Sequence, residues 1–238
     1  MDCLSTSAST ELRWLAKKIL PKRFVYFLRS VLPESVYYPG YGKTMLNRTR
    51  IENLVQLLES ACGFDGDVIE CGVYRGGSLA QIATVLKARR PEKRVFGVDT
   101  FEGHPYDYEQ DIPEGGKVLH HKGLFAKSQL EKVRLYLGEA GLTNVKLFKG
   151  LVEEVLPKEL DNERFCFAHL DLDLYKSTKS ALSFLVPRMT TGGIIVFDDY
   201  GNHESPGVTR AVDEILGENS VEITVKSRDQ NQAYWKSV

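Results

Sequence analysis

Cysteine is scarce and unpatterned in this chain. The 238 residues hold four, at Cys3, Cys62, Cys71 and Cys166, with neither CxxC nor zinc-finger spacing. A zinc ribbon and a dithiol redox motif are thereby excluded. Cys71 and Cys166 fall in apolar runs, where a free thiol acts as a small hydrophobe, and a reducing, cytoplasmic compartment is expected. No apolar run reaches the ~20 residues needed to span a bilayer. The opening Met1-Asp2-Cys3-Leu4-Ser5 lacks the basic and apolar segments of a secretory signal. An excess of charge of one sign is also lacking. Lys and Arg number 31 against 32 Asp and Glu, a net charge of −1, so nothing argues for nucleic acid as partner. There is no internal repeat. The dinucleotide fingerprint GxGxxG is absent. Gly42-Lys43-Thr44 looks like the end of a P-loop, but Tyr37 stands where that motif needs its first glycine, which excludes ATP binding on this segment.

What is present is an alternation of short apolar runs and helical periodicity from residue 67 onward. Residues 68–71, 94–99, 145–148, 165–170 and 193–197 read as strands, and the longer apolar runs read as strands buried on both faces. Helices are expected at about 49–62, from the Gly77 turn to 86, at 128–140, at 152–156 and after Ser177. Residues 221–225 and 233–235 flank a turn-like Asp229-Gln230-Asn231 and predict an antiparallel hairpin. The expected fold is a single α/β domain over 44–238: a Rossmann-like, mostly parallel sheet closed by an antiparallel C-terminal strand. Ahead of it, residues 1–43 read as an N-terminal helical arm, broken at Pro21, and an aromatic loop. The arm mixes Trp14, Ile19 and Phe27 with Lys17, Lys18 and Arg23. Packing on its own domain or a sister subunit is favoured over contact with an anionic membrane surface. The aromatics at 37–41 point the same way, to a homo-oligomer.

Two places carry chemistry. The first βα turn holds Glu70 at a strand end and then Gly72, Gly76 and Gly77, where glycine lets the backbone approach a ligand. Asp99 ends the next strand, where an acid binds ribose hydroxyls. The bland alternative is that the glycines serve tight turns and Asp99 caps a loop. The second place is a set of acids at two strand ends, Asp171 and Asp173 after 165–170 and Asp198 and Asp199 after 193–197. Together they would repel and raise each other's pKa. A hard divalent cation such as Mg²⁺ or Mn²⁺ relieves that repulsion. In a regular strand Asp171 and Asp173 would face one side. A parallel sheet with these two features describes class I methyltransferases, and S-adenosylmethionine suits Glu70 and Asp99.

Four stretches together resemble the macrocin O-methyltransferase family: 70–77 (Glu-Cys-Gly-Val-Tyr-Arg-Gly-Gly), 99–103, 171–178 and 192–200. Those enzymes methylate deoxysugar hydroxyls with S-adenosylmethionine and Mg²⁺. The resemblance runs from about Thr44 to the final hairpin. It implies metal ligands at Asp171, Asp198 and Asp199, with Asp173 as general base and Asp171 beside it in catalysis. Glu70, Gly72, Tyr74, Arg75, Gly76, Ser78, Asp99 and Thr100 fall in the implied cofactor site, and the irregular segment 102–125 becomes a substrate lid. Tyr74 departs from the Trp frequent in relatives, and Arg75 has the alternative of pairing with an acid. The acceptor implied is a sugar of a small molecule or glycan. A catechol or other vicinal diol, and a non-catalytic cofactor-binding scaffold, are the competing readings. His169 reads as a core residue, and His104, His120 and His121 as solvated loop polarity ahead of substrate contact. His203 is a weaker candidate for the same contact.

Overall fold

Apolar residues at adjacent strand positions go to opposite faces of one sheet, and this sets the architecture. In the computed structural model, which describes residues 43–106, 109–126, 128–226 and 231–238, six α-helices and seven strands follow the chain. They are α1 (Arg48–Ala61), β1 (Asp67–Cys71), α2 (Gly77–Arg89), β2 (Val95–Asp99), α3 (Leu130–Glu139), β3 (Val145–Lys149) and α4 (Val152–Glu159). Then come β4 (Phe165–Leu170), α5 (Tyr175–Leu185), β5 (Met189–Asp198), α6 (Pro206–Leu216), β6 (Glu222–Val225) and β7 (Gln232–Lys236). The sheet order is β3-β2-β1-β4-β5-β7-β6. Strands β1 to β5 are parallel, and β7 pairs antiparallel with both β5 and β6.

Val68, Phe167 and Val196 pack on one face with Leu54 and Leu58 of α1, Ile82 and Leu86 of α2 and Leu137 of α3. Their neighbours Ile69, Ala168 and Ile195 pack on the other with Leu156 of α4, Leu182 and Leu185 of α5 and Val212 of α6. The sheet is therefore covered on both sides, as its unbroken apolar strands require. Each fully buried Leu, Ile or Phe contributes roughly 1.5–3 kcal/mol.

The chain order makes the cleft. From β1 the chain moves outward to β2 and β3, then returns to place β4 on the other side of β1. That reversal opens a crevice at the carboxyl ends of β1 and β4, the position where open α/β sheets take their ligands.

The expected elements are present, with three adjustments. Helix α6 was not anticipated, although Pro206 at its first turn is a start signal in the sequence. Helix α5 begins at Tyr175 rather than after Ser177; its N-terminal amide at Tyr175 donates to Asp111 Oδ1 at 2.6 Å, a cap from a remote loop. Strand β5 starts four residues earlier than expected. The helical arm and aromatic loop, over residues 1–42, and most of the hairpin turn lie outside the described residues.

Helices α5 and α6 are joined at their surface by Glu214. Its carboxylate accepts from Tyr175 Oη at 2.6 Å, Lys179 Nζ at 2.8 Å and Arg210 Nε at 3.1 Å. These partners, Lys179 first, lower its pKa to about 2. A carboxyl depressed on folding adds stability above its unfolded pKa, near 4.3, and loses it as pH falls through the folded value. Glu214→Gln should therefore be less stable than wild type at neutral pH. In thermal melts at low salt, that gap should close as pH falls from about 4.3 toward about 2.

Candidate active site

Gly72 is where the cleft begins. It sits at the end of β1 with φ +92°, and a Cβ there would lie 1.7 Å from the Asp171 carbonyl oxygen. Only glycine lets the two strand ends come so close. The Asp171 amide donates to the Cys71 carbonyl at 2.9 Å, which fixes the first acid against the glycine turn. Asp99 then organises that turn: Oδ2 accepts from the Val73 and Tyr74 amides, each at 2.8 Å, and Oδ1 from Phe101 at 2.6 Å. A carboxylate has about four acceptor positions, so Asp99 caps the loop and still presents an oxygen to the cavity it lines.

The acids at the tips of β4 and β5 converge. One oxygen from each of Asp171, Asp173 and Asp199 lies within 4.8 Å of the other two. The convergence does not come from strand alternation as expected. β4 ends at Leu170, and Asp173 turns back with φ +59°, the Leu174 amide donating to the Leu172 carbonyl at 2.6 Å. Asp199 likewise has φ +63°. Aspartate tolerates this left-handed region better than most residues, and such strain concentrates at functional sites.

Asp198 is buried behind them. Arg50, itself 3% exposed, donates a guanidinium N–H to Asp198 Oδ2 and lies 3.5 Å from Asp199 Oδ1. Gln232 Nε2 donates to Asp198 Oδ1 at 2.7 Å. The imidazole of His169 lies between two acids, Nδ1 2.8 Å from Glu70 Oε1 and Nε2 3.8 Å from Asp198 Oδ1. Burial opposes charge on His169, but Asp198 and Glu70 outweigh it and push its pKa up to about 10. His169 is thus the core residue that the sequence suggests, with its charged form favoured by the two acids.

The four aspartates divide into two kinds. Burial would raise Asp198, yet Arg50 and His169 hold its carboxyl below the usual range. Asp173 is also held low against burial, by His104 and then His120. For Asp171 and Asp199 the compensation is outweighed. Burial, Asp198 and Asp173 drive Asp171 well up, and the same causes bring Asp199 to about 7.

One cavity joins these groups. Its lining includes Gly72, Tyr74, Asp99 and Thr100 of the glycine turn and β2 end, the acids Asp171, Asp173 and Asp199 with Arg50, and His104, His120, Asn202, Glu204 and Ser205. Four residues expected at the cofactor lie behind the wall. Glu70 is fully buried with its carboxylate on His169, and Ser78 is buried in the first turn of α2. Gly76 caps that helix with φ +83°. Arg75 stacks on the Tyr74 ring, 5.0 Å from its centroid. The loop histidines require a correction. His104 is buried with Nε2 3.1 Å from Asp173 Oδ2, and His120 Nδ1 lies 4.0 Å from Asp173 Oδ1; neither is solvated loop polarity. His121 and His203 are exposed. Arg50 and Gln232 were not anticipated, because each sits in a segment whose polar residues read as surface.

The comparisons bear on this geometry. The model of the macrocin O-methyltransferase (TylF) family matches residues 28–237. The chain belongs to the macrocin O-methyltransferase family. It is an enzyme, an O-methyltransferase with the class I fold. Among its relatives is an 8-demethyl-8-(2,3-dimethoxy-alpha-L-rhamnosyl)-tetracenomycin-C 4'-O-methyltransferase of Streptomyces olivaceus, 32% identical over 84% of this chain and 77% of that protein. A mycinamicin III 3''-O-methyltransferase of Micromonospora griseorubida is 29% identical over 84% of this chain and 80% of that protein. Among solved structures, the O-methyltransferase NovP superposes with a TM-score of 0.68 at 28% identity, covering 82% of each chain. The calicheamicin methyltransferase CalS11 superposes at 0.69 with 23% identity, over 99% of this chain and 94% of that one, and speaks for the fold.

The buried pair between α1 and β5 yields a stability prediction. Arg50→Met leaves Asp198 in the interior without its main counter-charge, a loss of about 3–5 kcal/mol. Urea denaturation should show it, and adding Asp198→Asn should recover most of the loss, because the two changes act on one interaction.

Proposed function

We propose that this methyltransferase transfers the methyl group of S-adenosylmethionine to a hydroxyl of a sugar in a small molecule or glycan, assisted by a divalent cation. The observation that carries the reading is the uncompensated charge at the strand tips. Arg50 and His169 answer Asp198, and His104 and His120 answer Asp173; Asp171 and Asp199 are left without sufficient counter-charge, which Mg²⁺ or Mn²⁺ would supply. The donor set fits: carboxylate oxygens alone, crowded enough that Asp171 and Asp199 are pushed toward the protonated state, suit a hard cation. Asp171 and Asp199 would hold it from the cavity side. Asp198 would hold it from behind, its oxygens shared with Arg50 and Gln232. A cation bound there supplies Lewis acidity that lowers the pKa of an acceptor hydroxyl.

The glycine turn fits the cofactor. Gly72 gives the backbone room, Asp99 has a free acceptor position for a ribose hydroxyl, and Tyr74 and Thr100 share that wall. S-adenosylmethionine supplies an electrophilic methyl on a sulfonium, whose departure as a thioether needs no proton. The proton to be moved is the acceptor's. Asp173 is held toward its ionised form by His104 and His120, lines the cavity and is oriented by His104, so it can accept that proton. Residues of loop 102–125 would form the acceptor wall, and the sugar assignment rests on the family and on the relatives' names, one of them a rhamnosyl-tetracenomycin-C 4'-O-methyltransferase.

The test combines binding and turnover. Calorimetry should give one saturable site for S-adenosylmethionine and for S-adenosylhomocysteine, and failure of a folded sample to bind either sinks the cofactor reading. In an acceptor screen, glycosides should be methylated ahead of catechols. Asp173→Asn should lower kcat by about 10²–10⁴ and leave cofactor affinity intact. Full, chelator-resistant activity in Asp171→Ala and Asp198→Ala would rule out the cation.

A further inference from the structure

Two imidazoles meet Asp173 from the loop side, and neither is used in the transfer beyond orienting that carboxylate. His104 Nε2 lies 3.1 Å from Asp173 Oδ2 and His120 Nδ1 lies 4.0 Å from Oδ1. Their ring centroids are 5.4 Å apart, and one ligand atom from each of the three residues lies within 4.8 Å of the others. His104 is 8% exposed, and the Nδ1 atoms of both rings are shut off from solvent without a hydrogen-bond partner. His120 is the more telling. Its Nε2 lies 3.1 Å from Ser205 Oγ and can donate its proton there. Its Nδ1 is buried without a hydrogen-bond partner, 4.0 Å from Asp173 Oδ1, and in the tautomer protonated on Nε2 it offers a lone pair beside that oxygen. A cation between them would satisfy both.

We propose that His104, His120 and Asp173 form a second cation site, one that takes a borderline transition-metal ion, Zn²⁺ foremost. It adjoins Asp171, Asp198 and Asp199, the carboxylates read above as the Mg²⁺ ligands, and differs from them in chemistry. Two imidazole nitrogens and one carboxylate oxygen, with a position left open, are a zinc donor set, whereas Mg²⁺ favours oxygen. Tetrahedral Zn²⁺ with bonds near ~2.1 Å sets its ligand atoms roughly 3.4 Å apart. His104 Nε2 lies 3.1 Å from Asp173 Oδ2, close to that value, and one ligand atom from each of the three residues lies within 4.8 Å of the others. Ser205 fixes the His120 tautomer, as outer partners of metal-binding histidines do. Occupancy would tie loop residues 104 and 120 to the tip of β4. It would also engage the carboxylate read above as the base, so Zn²⁺ would inhibit methyl transfer; that consequence rests on the proposed function, and the site itself does not.

The experiment is a titration of Zn²⁺ into the full, metal-stripped chain at neutral pH in saturating Mg²⁺, with a chromophoric chelator as competitor. A parallel titration uses Co²⁺, whose visible absorption reports nitrogen ligation. One Zn²⁺ per chain should bind despite Mg²⁺. His120→Ala and His104→Gln should each weaken it at least about tenfold and diminish the Co²⁺ band, while the exposed His121→Ala should not. Circular dichroism checks the variants, and if the His104 variant does not fold, His120→Ala decides alone. Equal Zn²⁺ affinity in wild type and His120→Ala would overturn the proposal. So would one-for-one displacement by Mg²⁺, which would put the ion on the aspartate cluster. Failure of the proposed function would appear instead as absent cofactor binding and would leave this titration unaffected.

Discussion

Asp198 is the constraint on which the other parts of the site depend. A carboxylate 2% exposed is tolerable only with its charge answered at close range, and the answers come from three directions. Arg50 reaches it from α1, outside the sheet. His169 faces it from the neighbouring strand β4. Gln232 stands opposite it in the antiparallel ladder, where Asp198 and Gln232 are register partners. The same demand spreads inward, since His169 lies beside Glu70 in the β1–β4 register and gives that buried acid its hydrogen bond. One residue at the end of β5 thereby ties the first described helix and the last strand to the two central strands. Replacing one partner costs more than the pair is worth, because the group left behind remains buried.

This compensation is selective, and the selectivity has chemical content. Protein cations and donors are spent on Asp198 and Asp173, while Asp171 and Asp199, a few ångströms away, receive none sufficient to hold them ionised. A sheet end that required only stability would not keep two more acids there. The arrangement makes sense if part of the countercharge is meant to be exchangeable. Arg50 sets a permanent floor under the negative potential, and the remainder is available to a ligand in the cavity.

How much of this was legible in the sequence follows from the range of each interaction. The strand ends were readable because doubly buried parallel strands leave unbroken apolar runs, and each functional acid interrupts the end of one. The glycine turn was readable because close approach admits only one residue type. Arg50 was not, because a helix with an apolar stripe gives no sign that one arginine on its flank points inward toward a strand 148 residues later in the chain. His104 and His120 were underestimated for the same reason: within a loop, no periodicity says which polar side chains turn in. Asp173 shows the reverse error. Its partnership with Asp171 was anticipated, but from a strand geometry that ends at Leu170, and the turn that produces it depends on a left-handed aspartate that spacing does not reveal.

The loop that bears the two histidines is less free than its composition implies. His104 and the 123–124 segment exchange backbone hydrogen bonds, His104 N to Leu124 O and Gly123 N to His104 O, each at 2.9 Å, so the loop is closed at its base. Farther along, Asp111 is buried and caps α5, and Gly207 of α6 packs so closely on it that a Cβ would come within 1.9 Å of Asp111 Oδ1. The loop is therefore clamped at fixed points to the scaffold that carries the acids. Such a loop can change its inward side chains without moving the chemistry. On the proposed function, recognition of a particular hydroxyl would be separable from its activation by Asp171, Asp173 and Asp199.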